Sequence, residues 1–93
     1  MFIGLLTLNL HLPGCDELKE KRHRIKGVLE KAANRFNVSI SEVDDQDLHQ
    51  SAVIAAVMVN SDRKIIEQVL QKVEDIFDGG NGIIISASEI EWL

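Results

Sequence analysis

The chain has 93 residues, 45% of them apolar and 27% charged, with a formal net charge of −5 and one cysteine. That length suits one small domain with a modest core, and the balance excludes a disordered polypeptide, a disulfide scaffold and a surface coated in basic residues. The charge is unevenly placed: Asp16 to Phe36 holds seven basic and four acidic residues, and the remainder three basic and eleven acidic.

The opening segment alternates. Leu6, Leu8, Leu10 and Leu12 share one face, and Ile3, Leu5, Thr7, Asn9 and His11 the other, the period of two that marks a strand. It has neither the basic start nor the small-residue cleavage site of a secretory signal, and no apolar run is long enough to span a bilayer. With Cys15 alone and no membrane segment, a cytoplasmic protein is expected. Pro13-Gly14 ends the strand, because proline lacks an N–H and glycine tolerates turn geometry.

Asp16 is placed to cap a helix, with Glu17 well sited against its dipole. Leu18, Ile25, Leu29, Ala32 and Phe36 form its apolar stripe, with Val28 and Ala33 at the margins, and the helix should end near Asn37. "VSISEV" reads as a second strand. Val38, Ile40 and Val43 do not keep one period of two, which a bulge near Glu42 would reconcile. "DDQD" is a polar turn into a third strand, "HQSAVIAAVMVN", apolar on both faces. Ser61 is placed to cap a second helix with Ile65, Ile66, Val69, Leu70, Val73, Ile76 and Phe77 on its buried side. Gly79-Gly80-Asn81-Gly82 stops it, and "IIISASEIEW" is the fourth strand.

The order is βαββαβ in two halves of similar length, expected to form a single domain over residues 1–93. Right-handed crossovers place both helices on one face of a four-stranded antiparallel sheet, an α+β architecture of the ferredoxin-like plait type. The other sheet face has no helix to cover its apolar residues, so a homodimer through that face or an edge is expected.

Five of the ten lysines and arginines lie in "LKEKRHRIK", Leu18 to Lys26. With Leu18 as reference, Arg22 falls about 40° from the apolar axis, which suggests an arginine lying over the core. Lys21, Arg24, Lys31 and Arg35 fall along one flank of the helix, Lys19 and Lys26 along the opposite one. The first flank continues for four turns with little acid, a stripe suited to following phosphates. Lys19, Lys21, Arg24, Lys26, Lys31 and Arg35 are therefore the candidate nucleic-acid-binding residues. No catalytic, cofactor or metal site is expected. "EVDDQD" lacks the spacing of a calcium loop, and His11, Cys15, His23 and His49 match no zinc or Cys-His pattern. "DGGNG" follows a helix and precedes a strand, the reverse of a phosphate-cradling loop. Phe2, Phe36, Phe77 and Trp92 are the only aromatics, too few and too scattered for base stacking on the sheet.

Two segments, "LKEKR" and "RFNVSISEVDDQDLHQ", together with the length, resemble the YlxP-like bacterial family, a domain of unknown function. The resemblance covers essentially the whole chain. It implies a ferredoxin-like fold and a gene neighbourhood shared with translation-initiation and ribosome-binding factors, hence ribosomal RNA or the small ribosomal subunit as partner. It implies no catalytic residues. Leu18 to Arg22 and Arg35 to Gln50 are the matching positions, as interaction or folding determinants. The expected function is that of a small non-enzymatic module binding RNA or ribonucleoprotein in ribosome maturation or translation. The alternatives are a homodimeric protein-interaction module using the open sheet face and a small-molecule-binding regulator.

Overall fold

Alternation in the first segment buries every second side chain. Leu6, Leu8, Leu10 and Leu12 all lie in the core, while Ile3, Leu5 and Thr7 between them stay half-exposed. In the computed structural model, which describes residues 1–78 and 82–93, this segment is β1 (Phe2–His11). It is followed by α1 (Leu18–Arg35), β2 (Ser39–Asp44), β3 (Ser51–Asn60), α2 (Arg63–Phe77) and β4 (Ile84–Trp92). The strands form one antiparallel sheet in the order β2-β3-β1-β4. The architecture is the ferredoxin-like α+β plait, with β1 and β3 central and β2 and β4 at the edges.

One face of the sheet and the inner faces of both helices share a single core. Ala52, Ile54, Ala56 and Met58 of β3 join the β1 leucines, covered by Ile25, Val28 and Ala32 of α1 and by Ile66, Leu70, Val73 and Phe77 of α2. Gly4 lets α2 approach β1 closely: a Cβ there would stand 2.5 Å from Cγ2 of Ile66. The far end of β4 is tied down by Trp92, which packs on the core and lies under the Arg63 guanidinium, 4.3 Å from the ring centre. Ser88 of β4 hydrogen-bonds Glu74 of α2.

The bulge expected near Glu42 is present. Glu42 pairs with Ile54 and Asp44 with Val53, leaving Val43 as the extra residue. A second irregularity sits in β4, where Ala87 pairs with Asn9 but Ile85 with Leu10, and Ser86 between them donates to the Asn9 carbonyl at 3.0 Å.

Both helix caps differ from the sequence expectation by one residue. Glu17, not Asp16, is the N-cap of α1, and its side chain makes no capping hydrogen bond. At α2 the cap is Asp62, not Ser61, and its carboxylate accepts from the Lys64 N–H at 2.9 Å. Helix α1 ends at Arg35, where the Phe36 N–H donates to Ala32 O at 3.0 Å, two residues short of Asn37. Of the expected helix stop, Gly79, Gly80 and Asn81 lie outside the described residues; Gly82 adopts a φ of 72°, the left-handed region that favours glycine. Among the described residues no helix is long and apolar enough to cross a membrane.

Candidate nucleic-acid interface

The basic run "LKEKRHRIK" forms the first half of α1, and the helix phase decides what each cation can do. Lys21, Ile25, Val28 and Ala32 are the buried positions, which sets the buried axis about 50° away from Leu18. Lys21 lies near the middle of that stripe and Arg22 well outside it.

Lys21 is the one buried charged residue among those described, with no exposed surface. Its Nζ donates to the carbonyls of Asp45 (2.6 Å) and Ser51 (2.8 Å), one on each side of the turn joining β2 to β3. Oε2 of Glu42 lies 3.0 Å away. That oxygen is buried and outside hydrogen-bond geometry, so its attraction to the ammonium is Coulombic. An ammonium held this way is a strut for the hairpin and has no surface to offer a phosphate. Lys21 is therefore removed from the candidate interface. Arg22, expected to lie over the core, is instead exposed.

The other candidates divide by partner. Arg24 is hydrogen-bonded to Glu20 at 2.7 Å, and one of its guanidinium nitrogens lies alongside Gly82, 3.7 Å from where a Cβ would stand. Lys26 lies 3.9 Å from Glu30 across an exposed turn. Lys19, Lys31 and Arg35 are exposed and have no ion-pair partner among the described residues. Lys31 and Arg35, one turn apart, line an open groove of about 500 Å³ between the C-terminal ends of α1 and α2. Phe36 and Ile76 line it as well, with Lys72, Asp75 and Asp78 from the α2 side.

Lys72 completes the group and was not legible in the basic run, because it comes from the other helix. Asp75 and Asp78 change the picture in the opposite sense. The flank of α1 is poor in acid along its own length, but α2 sets two carboxylates across the groove from it.

The remaining chemical candidates stay apart. His11 Nδ1 lies 3.1 Å from the Gln50 carbonyl, Cys15 is buried with Sγ 3.6 Å from the Glu17 carbonyl, and His23 and His49 are exposed. Among the described residues, no group of three His, Cys, Asp or Glu is placed to hold a metal ion. The acidic "EVDDQD" forms the end of β2 and its turn. Asp44 accepts from the Asp45 N–H at 2.8 Å, Asp45 has a φ of 61°, and its carbonyl accepts from Leu48 at 3.0 Å.

A family model described as "Protein of unknown function (DUF503)" matches residues 3–90. The chain belongs to this family. It is also 39% identical over 90 residues to the "Uncharacterized protein YlxP" of Bacillus subtilis (strain 168), an alignment that takes in 97% of this chain and 98% of that protein. The two segments that carry the resemblance to YlxP-like proteins are physically joined: Lys21 of "LKEKR" meets Glu42 and Asp45 of "RFNVSISEVDDQDLHQ".

Proposed function

We infer that the protein is a non-enzymatic module that binds RNA or ribonucleoprotein in ribosome maturation or translation, with Lys31, Arg35 and Lys72 at the phosphates. The observation that carries this reading is the convergence of three cations from two helices on one groove, with no ion-pair partner among the described residues. Lys19 is a peripheral contact, and Arg24 and Lys26 contribute less because Glu20 and Glu30 already face them. The wider charge distribution supports it too. All ten lysines and arginines lie on α1 and α2, against five carboxylates there, so a polyanion meets a net positive layer on an acidic protein. The gene neighbourhood implied by the YlxP-like resemblance narrows the polyanion to ribosomal RNA.

The test is binding of ribosomal RNA fragments and small ribosomal subunits across a salt series above 0.1 M, a range in which lost phosphate contacts flatten the slope of log K against log salt. For the triple variant Lys31→Glu, Arg35→Glu, Lys72→Glu, the slope should fall by about 2 to 3 and binding should weaken at every salt concentration. Lys64→Glu, exposed at the other end of α2, should bind like the parent. Equal binding by the triple variant and the parent would remove the groove from the function.

A further inference from the structure

The two layers of the plait differ in charge as well as in secondary structure. No strand contains a lysine or arginine, while the strands hold Glu42, Asp44, Glu89 and Glu91. Glu42 is turned inward to Lys21. The other three lie on the sheet face away from the helices, as their pairing shows: Glu91 opposite Leu5, Glu89 opposite Thr7, and Asp44 opposite Val53.

Cross-strand rows on this face run from a serine on β2 to a carboxylate on β4. Ser39, Val57, Leu5 and Glu91 form one row, and Ser41, Ala55, Thr7 and Glu89 the next. Leu5, Ala55 and Val57 are half-exposed, and Val59, further along β3, is 54% exposed. The bulge at Val43 turns that side chain toward the same region, where it closes a dimple of about 170 Å³ with Leu5, Val57 and the two serines. The dimple has room for one large apolar side chain. Across two further strand spacings, roughly 10 Å, stand Glu89 and Glu91, exposed and without a cation partner among the described residues.

We propose that this face docks a basic amphipathic segment of a second protein, with an apolar anchor in the dimple and lysine or arginine over Glu89 and Glu91. Charge selects this occupant. A second copy paired through the same face would present the same carboxylates and no cation, setting acid against acid at the rim. A nucleic acid is repelled by the same three groups. A helix laid across the strands spans the distance from dimple to carboxylates in about two turns, so anchor and cation fall within one short segment.

The test uses two synthetic peptides of about five helical turns with the same leucine pattern, one with lysine and one with glutamate at every polar position. Each is titrated into isotope-labelled protein, and amide shifts report the contact. The lysine peptide should shift Leu5, Val57, Glu89 and Glu91, and the glutamate peptide should leave them in place. The double variant Glu89→Lys, Glu91→Lys should bind the lysine peptide about tenfold or more weakly, while its spectrum keeps the parent's fold; lysine on an edge strand is well tolerated. Shifts confined to the helices or to the turn after Asp44, or no shift at all, would overturn the proposal. So would a parent dimer in sedimentation that Val57→Glu converts to monomer, since a second copy would then be the occupant. RNA binding by the helix layer is read on different residues, so either reading can fail alone.

Discussion

Lys21 shows how little a charged residue's neighbours in sequence say about its role. Four other cations stand within five residues of it, yet it alone is enclosed. Its two carbonyl partners and Glu42 lie between 21 and 30 positions along the chain, so nothing local announces them. The heptad-scale pattern did contain a hint: setting the wheel on Leu18 places weight on a half-exposed first residue, whereas Ile25, Val28 and Ala32 alone point the buried axis at Lys21. Enclosure also makes the residue costly to lose. Lys21→Met leaves Glu42 Oε2 buried without its counter-charge and removes the ammonium donor from the carbonyls of Ser51 and of Asp45, the latter keeping the Leu48 N–H. It should destabilise the fold by about 3 to 5 kcal/mol. Arg22→Met, on exposed surface, should stay within about 0.5 kcal/mol. Urea unfolding midpoints of the two variants check the pair, and similar midpoints would show that the ammonium is not a strut. Adding Glu42→Leu to Lys21→Met should recover part of the loss, because the stranded carboxylate goes with it.

At the level of elements, two glycines show what the helices require. Gly4 on β1 faces α2 where Ile66 Cγ2 would stand 2.5 Å from an added Cβ, and Leu70 and Trp92 follow at 3.3 Å. Ile66 is fully buried and branched at Cβ, so it has little freedom to withdraw. Gly27 lies mid-way along α1 on its exposed side, with nothing within 4 Å. Gly4→Ala should therefore cost about 1 to 3 kcal/mol, and Gly27→Ala should add about 0.5 to 1 kcal/mol. Thermal unfolding of both variants tests the sign of each, and a stabilised Gly4→Ala would mean that α2 can shift on the sheet. Much of this level was readable beforehand because it depends on local period. The leucines of β1, the stripe of α2 apart from Ile65, which is exposed, and the bulge beside Glu42 all follow from local spacing. The caps did not: Ser61 beside Asp62 offers two good capping residues, while α1 starts after Glu17 with no side-chain cap although Asp16 stands beside it, and only the packed helix chooses the frame. The groove was half readable. Lys31 and Arg35 lie one turn apart on one helix, but Lys72, Asp75 and Asp78 join them only through the packing of α2 alongside α1.

Over the whole molecule, the fold separates charge that the sequence mixes only loosely. The helices hold ten cations against five carboxylates, the strands four carboxylates, and the connecting segments six, with no cation outside the helices. Net charge and local charge thus have opposite signs on the helix side, and ionic strength decides which one a distant polyanion feels. The molecule measures 42 × 21 × 18 Å. At about 0.01 M salt the screening length is roughly 30 Å, longer than the molecule is thick, so a polyanion at the helices also senses the sheet and its acidic rim. The net charge of −5 then opposes association. At about 0.1 M the screening length is roughly 10 Å, and the far carboxylates drop out while the groove cations still act. Above that range the cations are screened as well. Retention on an immobilised polyanion such as heparin should therefore rise from the lowest salt, pass through a maximum near about 0.1 M and fall beyond it. Charge reversal at Lys31, Arg35 and Lys72 should abolish the maximum. Neutralising Glu89 and Glu91 to glutamine should instead raise retention at the lowest salt and leave the falling limb unchanged, because those groups act only through the long-range field. A retention curve that falls steadily from the lowest salt would mean that the helix layer dominates at every distance, and that the two faces are not electrically coupled.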